Sequence, residues 1–227
     1  MPTSPIRRSD ITGLILAGGR GQRMGGRDKG LQPFDGCPLA GHAIARLRPQ
    51  VGALLISANR HLDAYAALGA TVVRDETQDF AGPLAGMLAG LRAACTEYVL
   101  TVPCDSPYLP DDLGVRLSAA LDAANASSAP SAPSTSSTSS TSPPGCAEVA
   151  APPLAAYAAT AQGPHPVFAL LHRSLADDLA ATLQAGEHRV RAWLARHKAV
   201  QVNFGDERPF YNVNTLDDLH TDSPRAP

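Results

Sequence analysis

The apolar run Leu14-Ile15-Leu16-Ala17 passes directly into Gly18-Gly19-Arg20-Gly21-Gln22-Arg23-Met24-Gly25-Gly26, where five of nine residues are glycine. A backbone without Cβ atoms can take positive φ and come close to a ligand, and its successive N–H groups can gather around an anion. Arg20, Arg23, Arg27 and Lys29 add positive charge to the same stretch. The alternative, a mobile turn whose basic residues are merely solvated, gives no reason for glycine and charge to concentrate behind a strand of an α/β chain.

Two familiar phosphate loops can be tested against this segment. A P-loop needs Gly-Lys followed by Ser or Thr, but Gly26 is followed by Arg27 and Lys29 by Gly30. The dinucleotide fingerprint started from Gly19 needs glycine at position 24, which is Met24.

From residue 11 to about 120, short β-type runs alternate with helical patterns, the mark of βαβ units and a mainly parallel sheet. Strands are expected at 11–16, 54–57, 71–73 and 98–102, all short apolar runs suited to burial on both faces. Helices are expected at 39–47 and at 84–94, where Leu84, Leu88 and Leu91 recur at helical spacing. Another follows Pro110, with Asp111 and Asp112 near its positive end. From about 123 to 153 the chain turns to Ala, Ser, Thr and Pro, including an unbroken Ser/Thr run at 134–142. Such a stretch cannot bury enough apolar surface to offset its chain entropy, and it reads as a disordered insertion. Structure then resumes, with strands at 167–171 and 200–204, helices at 175–183 and 190–195, and a short closing helix from Thr215.

A chain of 227 residues, 44% hydrophobic, supports one substantial core. The expected organisation is a single domain over 11–220 interrupted by the insertion at 123–153, with disordered ends at 1–10 and 221–227. Lys and Arg number 19 against 21 Asp and Glu, a net charge of -2. That balance gives no global field to gather nucleic acid or an anionic membrane, so a charged ligand must be held by local chemistry. The apolar run at 14–17 is far too short for a membrane span or signal segment. Cys37, Cys95, Cys104 and Cys146 form no C-x-x-C pair, which fits free thiols in a reducing cytoplasm.

Val99-Leu100-Thr101-Val102-Pro103-Cys104-Asp105 is an apolar strand ending in a carboxylate. Ligands of open α/β sheets lie at the carboxyl ends of strands, so Asp105 is expected to face the glycine loop, where a hard oxygen ligand beside phosphates could hold Mg²⁺. Taken alone, it could equally be a turn or cap aspartate. Asp75, closing the run 71–74, repeats the placement and has the same alternative. Gly82-Pro83-Leu84-Ala85-Gly86-Met87 opens a helix whose first N–H groups could bind something polar or simply join loop to helix. Asn212 and Asn214 share one side of an extended segment, where their amides could meet metal, phosphate or sugar, or Asn214 could cap the next helix. His165, between Pro164 and Pro166, reads either as a packed loop histidine or as a group near an acceptor.

Together these segments resemble the molybdenum cofactor guanylyltransferase (MobA) family, among the glycosyltransferase-A-like nucleotidyltransferases. The matching residues are the LAGG-x-G-x-R-M-G-G-x-D-K-G run at 16–30, Ala58-Asn59-Arg60-His61, Val73-Arg74-Asp75, GPLAGM at 82–87, Pro103-Cys104-Asp105-Ser106-Pro107, His165-Pro166, Gly186-Glu187-His188-Arg189-Val190, and Asn212-Val213-Asn214-Thr215. The likeness runs from 11 to about 220 apart from the insertion. It implies a three-layer Rossmann-like nucleotidyltransferase fold and transfer of GMP from Mg-GTP to molybdenum-molybdopterin, with other cofactor-biosynthesis or target proteins as further partners. By position, Leu16, Ala17, Gly18, Gly19, Ser57, Asp75 and Asp105 would contact the nucleotide, and Lys29 and Arg23 the phosphates. Asp105 would hold Mg²⁺, while His165, Asn212 and Asn214 would stand near acceptor or phosphate. The family often has asparagine where this chain has Ser57, whose hydroxyl reaches less far and offers fewer hydrogen bonds. Alternatives in the same fold are CTP-dependent molybdopterin cytidylyltransferases and sugar-phosphate nucleotidyltransferases, which more often carry L-A-A-G where this chain has Leu16-Ala17-Gly18-Gly19. A non-catalytic nucleotide-binding regulator is the alternative of another class, against which the presence of Lys29 and Asp105 argues.

Overall fold

A computed structural model describes residues 4–18, 28–75, 82–127 and 151–213. The elements fall in the order β1 (Ile11–Leu16), β2 (Pro33–Phe34), β3 (Cys37–Pro38), α1 (Leu39–Leu47), β4 (Ala53–Ser57), α2 (Leu62–Ala66), β5 (Thr71–Val73), α3 (Pro83–Ala93), β6 (Tyr98–Pro103), α4 (Leu113–Ser127), β7 (Ala155–Thr160), β8 (Gly163–His172), α5 (Ala176–Gln184), α6 (Val190–Arg196) and β9 (Val200–Asn203). Seven strands make one sheet in the order β5-β4-β1-β6-β8-β7-β9, and β2 and β3 form a separate small pair. Strands β5, β4, β1 and β6 are mutually parallel, and β8 runs against its neighbours β6 and β7.

Alternation along the strands sends side chains to two cores. Ile11 and Ile15 of β1, Ile56 of β4, and Leu100 and Val102 of β6 pack with α1, α2 and α4 through Ala43, Ile44, Leu47, Tyr65, Leu113, Leu117 and Leu121. Leu14, Leu55 and Val99 point to the other face, against Leu84, Met87, Leu88 and Leu91 of α3, Leu179 of α5, and Trp193 and Leu194 of α6. The result is the expected three-layer α/β architecture. A fully buried leucine such as Leu14 contributes on the order of 1.5–3 kcal/mol, so strands this short can still be held firmly.

Three boundaries differ most from the sequence expectation. Residues expected to be a disordered lead-in are tied down from Ile6 onward: Ile6 N donates to Asp122 Oδ2 at 3.0 Å, Arg8 Nε to Val51 O at 2.9 Å, and Arg8–Asp10 form a 3₁₀ turn. These bonds reach across the chain, and local composition carries no trace of them. The expected insertion at 123–153 begins too early, because α4 continues to Ser127. Alanine is common to a good helix former and to a low-complexity tract, so composition alone blurred that edge. Residues 151–153 precede β7 without regular structure. The strand expected at 167–171 starts at Gly163 and includes His165. The closing helix from Thr215 and the tail at 221–227 lie outside the described residues.

The strand order determines where a ligand can sit. From β1 the chain moves outward through β4 to β5, then crosses back to lay β6 on the other side of β1. The crevice at the carboxyl ends of β1 and β6 is therefore a topological switch point, the usual ligand position in such sheets. Pairing between β6 and β8 runs only to Thr101 and Ala169. Beyond it, Thr101 Oγ1 bonds Val167 O at 2.6 Å, and Val167 forms part of the crevice wall.

Candidate active site

A cleft of about 330 Å³ opens at this switch point. Its wall is assembled from strand ends: Leu16, Ala17 and Gly18 after β1, Ser57 at the end of β4, Asp75 beyond β5, and Pro103, Cys104 and Asp105 at the end of β6. Backbone bonds extend the sheet by one residue at each step, with Ala17 N donating to Ser57 O at 2.8 Å, Ala58 N to Val73 O at 3.0 Å and Cys104 N to Leu16 O at 3.1 Å. The loops thus leave the sheet in register. Gly82, Pro83 and Gly86 bring the start of α3 to the same cleft. Gly82 has φ 73°, a backbone conformation that requires glycine, and Pro83 occupies the first helical turn where its missing N–H is harmless.

Asp28, Lys29, Gly30 and Asn212 complete the lining. Lys29 Nζ lies 2.5 Å from Asp105 Oδ2, a pairing across 76 positions of sequence. Among the described residues, Asp105 Oδ1 and Asp75 Oδ1 are buried without a hydrogen-bond partner. A buried carboxylate oxygen left without a partner is costly, so two such atoms bordering one cleft mark places for an incoming donor or cation. Asn212 is seated by Ser106, whose hydroxyl donates to Asn212 Oδ1 at 2.5 Å, and Val213 N donates to Asp105 O at 2.9 Å. The segment carrying Asn212 is thereby laced to the loop after β6.

Cys104 is buried, and burial first, then the charges of Asp105 and Asp28, push its thiol far above the ordinary range. Burial thus favours the protonated thiol, in keeping with a small packing residue. Among the described residues no three His, Cys, Asp or Glu side chains gather into a metal site. The donor set here is one unpartnered carboxylate oxygen of Asp105 beside a cleft sized for a small ligand. That fits Mg²⁺, which takes one or two carboxylates from the protein and completes its octahedron with phosphate oxygens and water.

Of the residues singled out in the sequence, Leu16, Ala17, Gly18, Lys29, Ser57, Asp75, Asp105 and Asn212 all border this cleft. Gly19, Arg23 and Asn214 lie outside the described residues. His165 is not among the lining residues. Its ring stacks on Phe210 at 4.6 Å, and its Nε2 lies 3.1 Å from Thr160 Oγ1 and 3.2 Å from Glu207 Oε1. Sequence reasoning gave Asn59 no role of its own, although it belongs to the recognised segment 58–61. Asn59 Oδ1 accepts from Asp75 N at 3.2 Å, and a Cβ added to Gly18 would lie 3.9 Å from both Asn59 Nδ2 and Asp75 Oδ2. An amide therefore stands beside Asp75 even though the family's asparagine is replaced by Ser57. Ser57 itself is nearly fully buried against Gly86, where a Cβ would come within 2.8 Å of its Oγ.

The family described as the MobA-like NTP transferase domain matches residues 13–201. Over 213 residues the chain is 54% identical to the molybdenum cofactor guanylyltransferase of Burkholderia ambifaria, with 92% of this chain and 93% of that relative covered. It is 50% identical over 220 residues to the molybdenum cofactor guanylyltransferase of Ralstonia pickettii, covering 95% of this chain and 97% of the relative. Among solved structures, molybdopterin-guanine dinucleotide biosynthesis protein A from Archaeoglobus fulgidus matches with a TM-score of 0.64 at 20% identity, over 92% of this chain and 95% of that one. At that identity the match is one of fold.

Proposed function

The chain belongs to the MobA-like NTP transferase family, and on that premise we propose that it transfers GMP from Mg-GTP to molybdenum-molybdopterin and releases pyrophosphate. One observation carries the reading most directly: a lysine paired with an aspartate whose other carboxylate oxygen is buried and unmet at the switch-point cleft. The names of relatives that match more than nine-tenths of the chain at 50–54% identity support the substrate class.

In this reaction an oxygen of the acceptor phosphate forms a bond to the α-phosphorus of GTP. The bond from that phosphorus to the bridging oxygen breaks, and pyrophosphate leaves with the bonding pair. Nothing in the step needs a covalent enzyme intermediate, so the chain's task is positioning and charge compensation. Lys29 offers an ammonium to the triphosphate, and Arg23 is assigned the same role. Asp105 Oδ1 would hold Mg²⁺, which supplies Lewis-acid neutralisation of phosphoryl charge. Leu16, Ala17, Gly18 and Gly19 are assigned to the nucleotide, the first three lining the cleft. Asn212 and Asn214 are assigned to the acceptor or phosphate side.

Guanine presents N1–H and N2–H₂ donors on one edge, and Asp75 Oδ1 is a buried acceptor without a partner. Asn59 accepts from the Asp75 backbone N–H and so helps fix the backbone that carries that carboxylate. This pairing gives a physical reason for choosing GTP over CTP, whose base edge lacks those adjacent donors. Among the described residues no helix is long and apolar enough to cross a membrane, and we assign the activity to the cytoplasm.

The test measures pyrophosphate release with GTP and CTP in competition, with and without molybdopterin acceptor. GTP should be preferred by roughly 10⁴-fold, the order of discrimination expected when a wrong base leaves buried hydrogen-bonding groups unpaired. Equal or better use of CTP would make the enzyme a cytidylyltransferase. Absence of acceptor-dependent release with either nucleotide would leave a nucleotide-binding regulator.

A further inference from the structure

Beneath Lys29 lies a buried polar pair that the transfer chemistry leaves without a role. Tyr65, fully buried on α2, donates its hydroxyl to Asp28 Oδ1 at 2.5 Å, and Asp28 is itself only 9% exposed. Burial above all, reinforced by Cys104 and Asp28, pushes the phenol far above its ordinary range, so it keeps its proton and acts as the donor. The packing around this bond is tight. A Cβ on Gly30 would lie 2.4 Å from the Tyr65 hydroxyl and 3.2 Å from Cys104 Sγ. The backbone on one side of Lys29 is therefore pressed against the ring tip, and the backbone on the other side belongs to Asp28, whose carbonyl also accepts from Gln32 Nε2 at 2.9 Å.

Tyr65 connects two parts of the site that are distant in sequence. Helix α2 begins directly after the 58–61 loop, which turns through His61 in the left-handed region (φ 50°) and holds Asp75 through Asn59. Asp28 precedes Lys29, whose ammonium meets Asp105. A single hydrogen bond thus joins the loop beside Asp75 to the segment carrying Lys29.

We infer that Tyr65 is a positioning residue, which by clamping Asp28 fixes the backbone of Lys29 and ties the nucleoside side of the cleft to the triphosphate side. This rests on the reading of Lys29 as the triphosphate's partner. The aim of a flexible amine depends on its backbone anchor, and a loosened anchor lowers the fraction of complexes in reactive geometry. Asp28 acts here through Tyr65, and its charge is not itself a cation ligand.

The test compares Tyr65→Phe, Lys29→Ala, their double variant and Asp28→Asn in the full chain, assayed with Mg-GTP and molybdopterin well below each unfolding temperature. Tyr65→Phe keeps the ring and removes the clamp. It should lower kcat by roughly tenfold while KM for GTP moves less than about threefold, and in the Lys29→Ala background it should have almost no further effect, as for residues acting as one unit. Asp28→Asn keeps an acceptor oxygen for the phenol and should lose less kcat than Tyr65→Phe, with its Mg²⁺ requirement unmoved. A full tenfold loss from Tyr65→Phe in the Lys29→Ala background would overturn the inference, since the tyrosine would be acting elsewhere. So would wild-type kcat for Tyr65→Phe beside a slowed Lys29→Ala. A hundredfold loss in Asp28→Asn with a raised Mg²⁺ requirement would make Asp28 a ligand, again overturning it, and this arm stands even if Tyr65→Phe does not fold. Wild-type kinetics for Lys29→Ala itself would instead remove the functional reading of Lys29 on which the inference stands.

Discussion

In the parallel half of the sheet, β5-β4-β1-β6, the carboxylates at the strand ends keep buried oxygens without partners, Asp75 Oδ1 and Asp105 Oδ1. In the half made by β8, β7 and β9, polar groups close on one another. Thr160 Oγ1 meets both His165 and Glu207, Tyr157 donates to Gln201 Oε1 at 2.9 Å, Phe210 stacks on His165, Phe168 packs edge to face on both of those rings, and Phe204 does so on Phe210. An unmet buried acceptor costs about 1–3 kcal/mol, more when charged; at the cleft a ligand can supply the partner, whereas Ser118 Oγ and Asn125 Oδ1 of α4 are unmet away from it. The first half is left incomplete for chemistry. The second has used its polar groups to hold itself together.

The largest effect expected from that contrast is at Asp105. Asp105→Ala should lower turnover by roughly a hundredfold or more, at ~1.4 kcal/mol per tenfold, while the chain stays folded. Near wild-type turnover of a folded variant at low Mg²⁺ would break the contrast at its strongest point. An intermediate effect is expected in the other half. His165→Ala, losing a stacked ring and its contacts to Thr160 and Glu207, should lower unfolding free energy by about 1–3 kcal/mol and leave turnover within about threefold. A tenfold fall in kcat/KM for the acceptor, with an unchanged urea midpoint, would instead make His165 an acceptor contact.

The smallest effect concerns the tract that joins the two halves. Replacing 129–149 with a short Gly/Ser connector keeps α4 to Ser127 and β7 from Ala155. Closure entropy changes by only ~0.6 kcal/mol per doubling of loop length, so stability should move by less than about 1 kcal/mol and guanylyl transfer should not change. Loss of either would show that the Ser/Thr/Pro tract contacts the domain, a substrate or a partner.

The sequence was most legible where local pattern and tertiary role agree. Strand β1 and helix α1 fall on their expected bounds, because a strand buried on both faces is a continuous apolar run and an amphipathic helix repeats at 3.6 residues. Strand β7 was missed. Its sequence, Ala-Ala-Tyr-Ala-Ala-Thr, has little β-branched character and adjoins the Ala/Ser/Pro tract, so its strand form comes from pairing with β8 and β9. Helix α2 was missed because five residues show no period. In the site, Asp105 could be placed at a strand end and Lys29 at the close of the glycine loop from pattern alone, and the strand order puts β1 and β6 side by side, where the two meet. Tyr65 and Asn59 could not be assigned this way. Their roles arise from contacts with Asp28 and Asp75 that no local spacing encodes.

Helix α3 rides unusually close to the sheet. A Cβ on Gly90 would lie 2.2 Å from Leu14 Cδ2, and one on Gly86 would lie 2.8 Å from both Leu16 Cδ2 and Ser57 Oγ. Leu14 and Ser57 are themselves buried, so neither can yield cheaply. For anyone redesigning donor preference this closes one route and opens another. Enlarging position 86 or 90 lifts a whole helix before it touches a base, so the depth of the cleft cannot be tuned in small steps from that side. Changes at 59, whose amide stands beside Asp75 rather than under α3, avoid that contact, and new nucleotide preferences are most accessible there, by drift or by design.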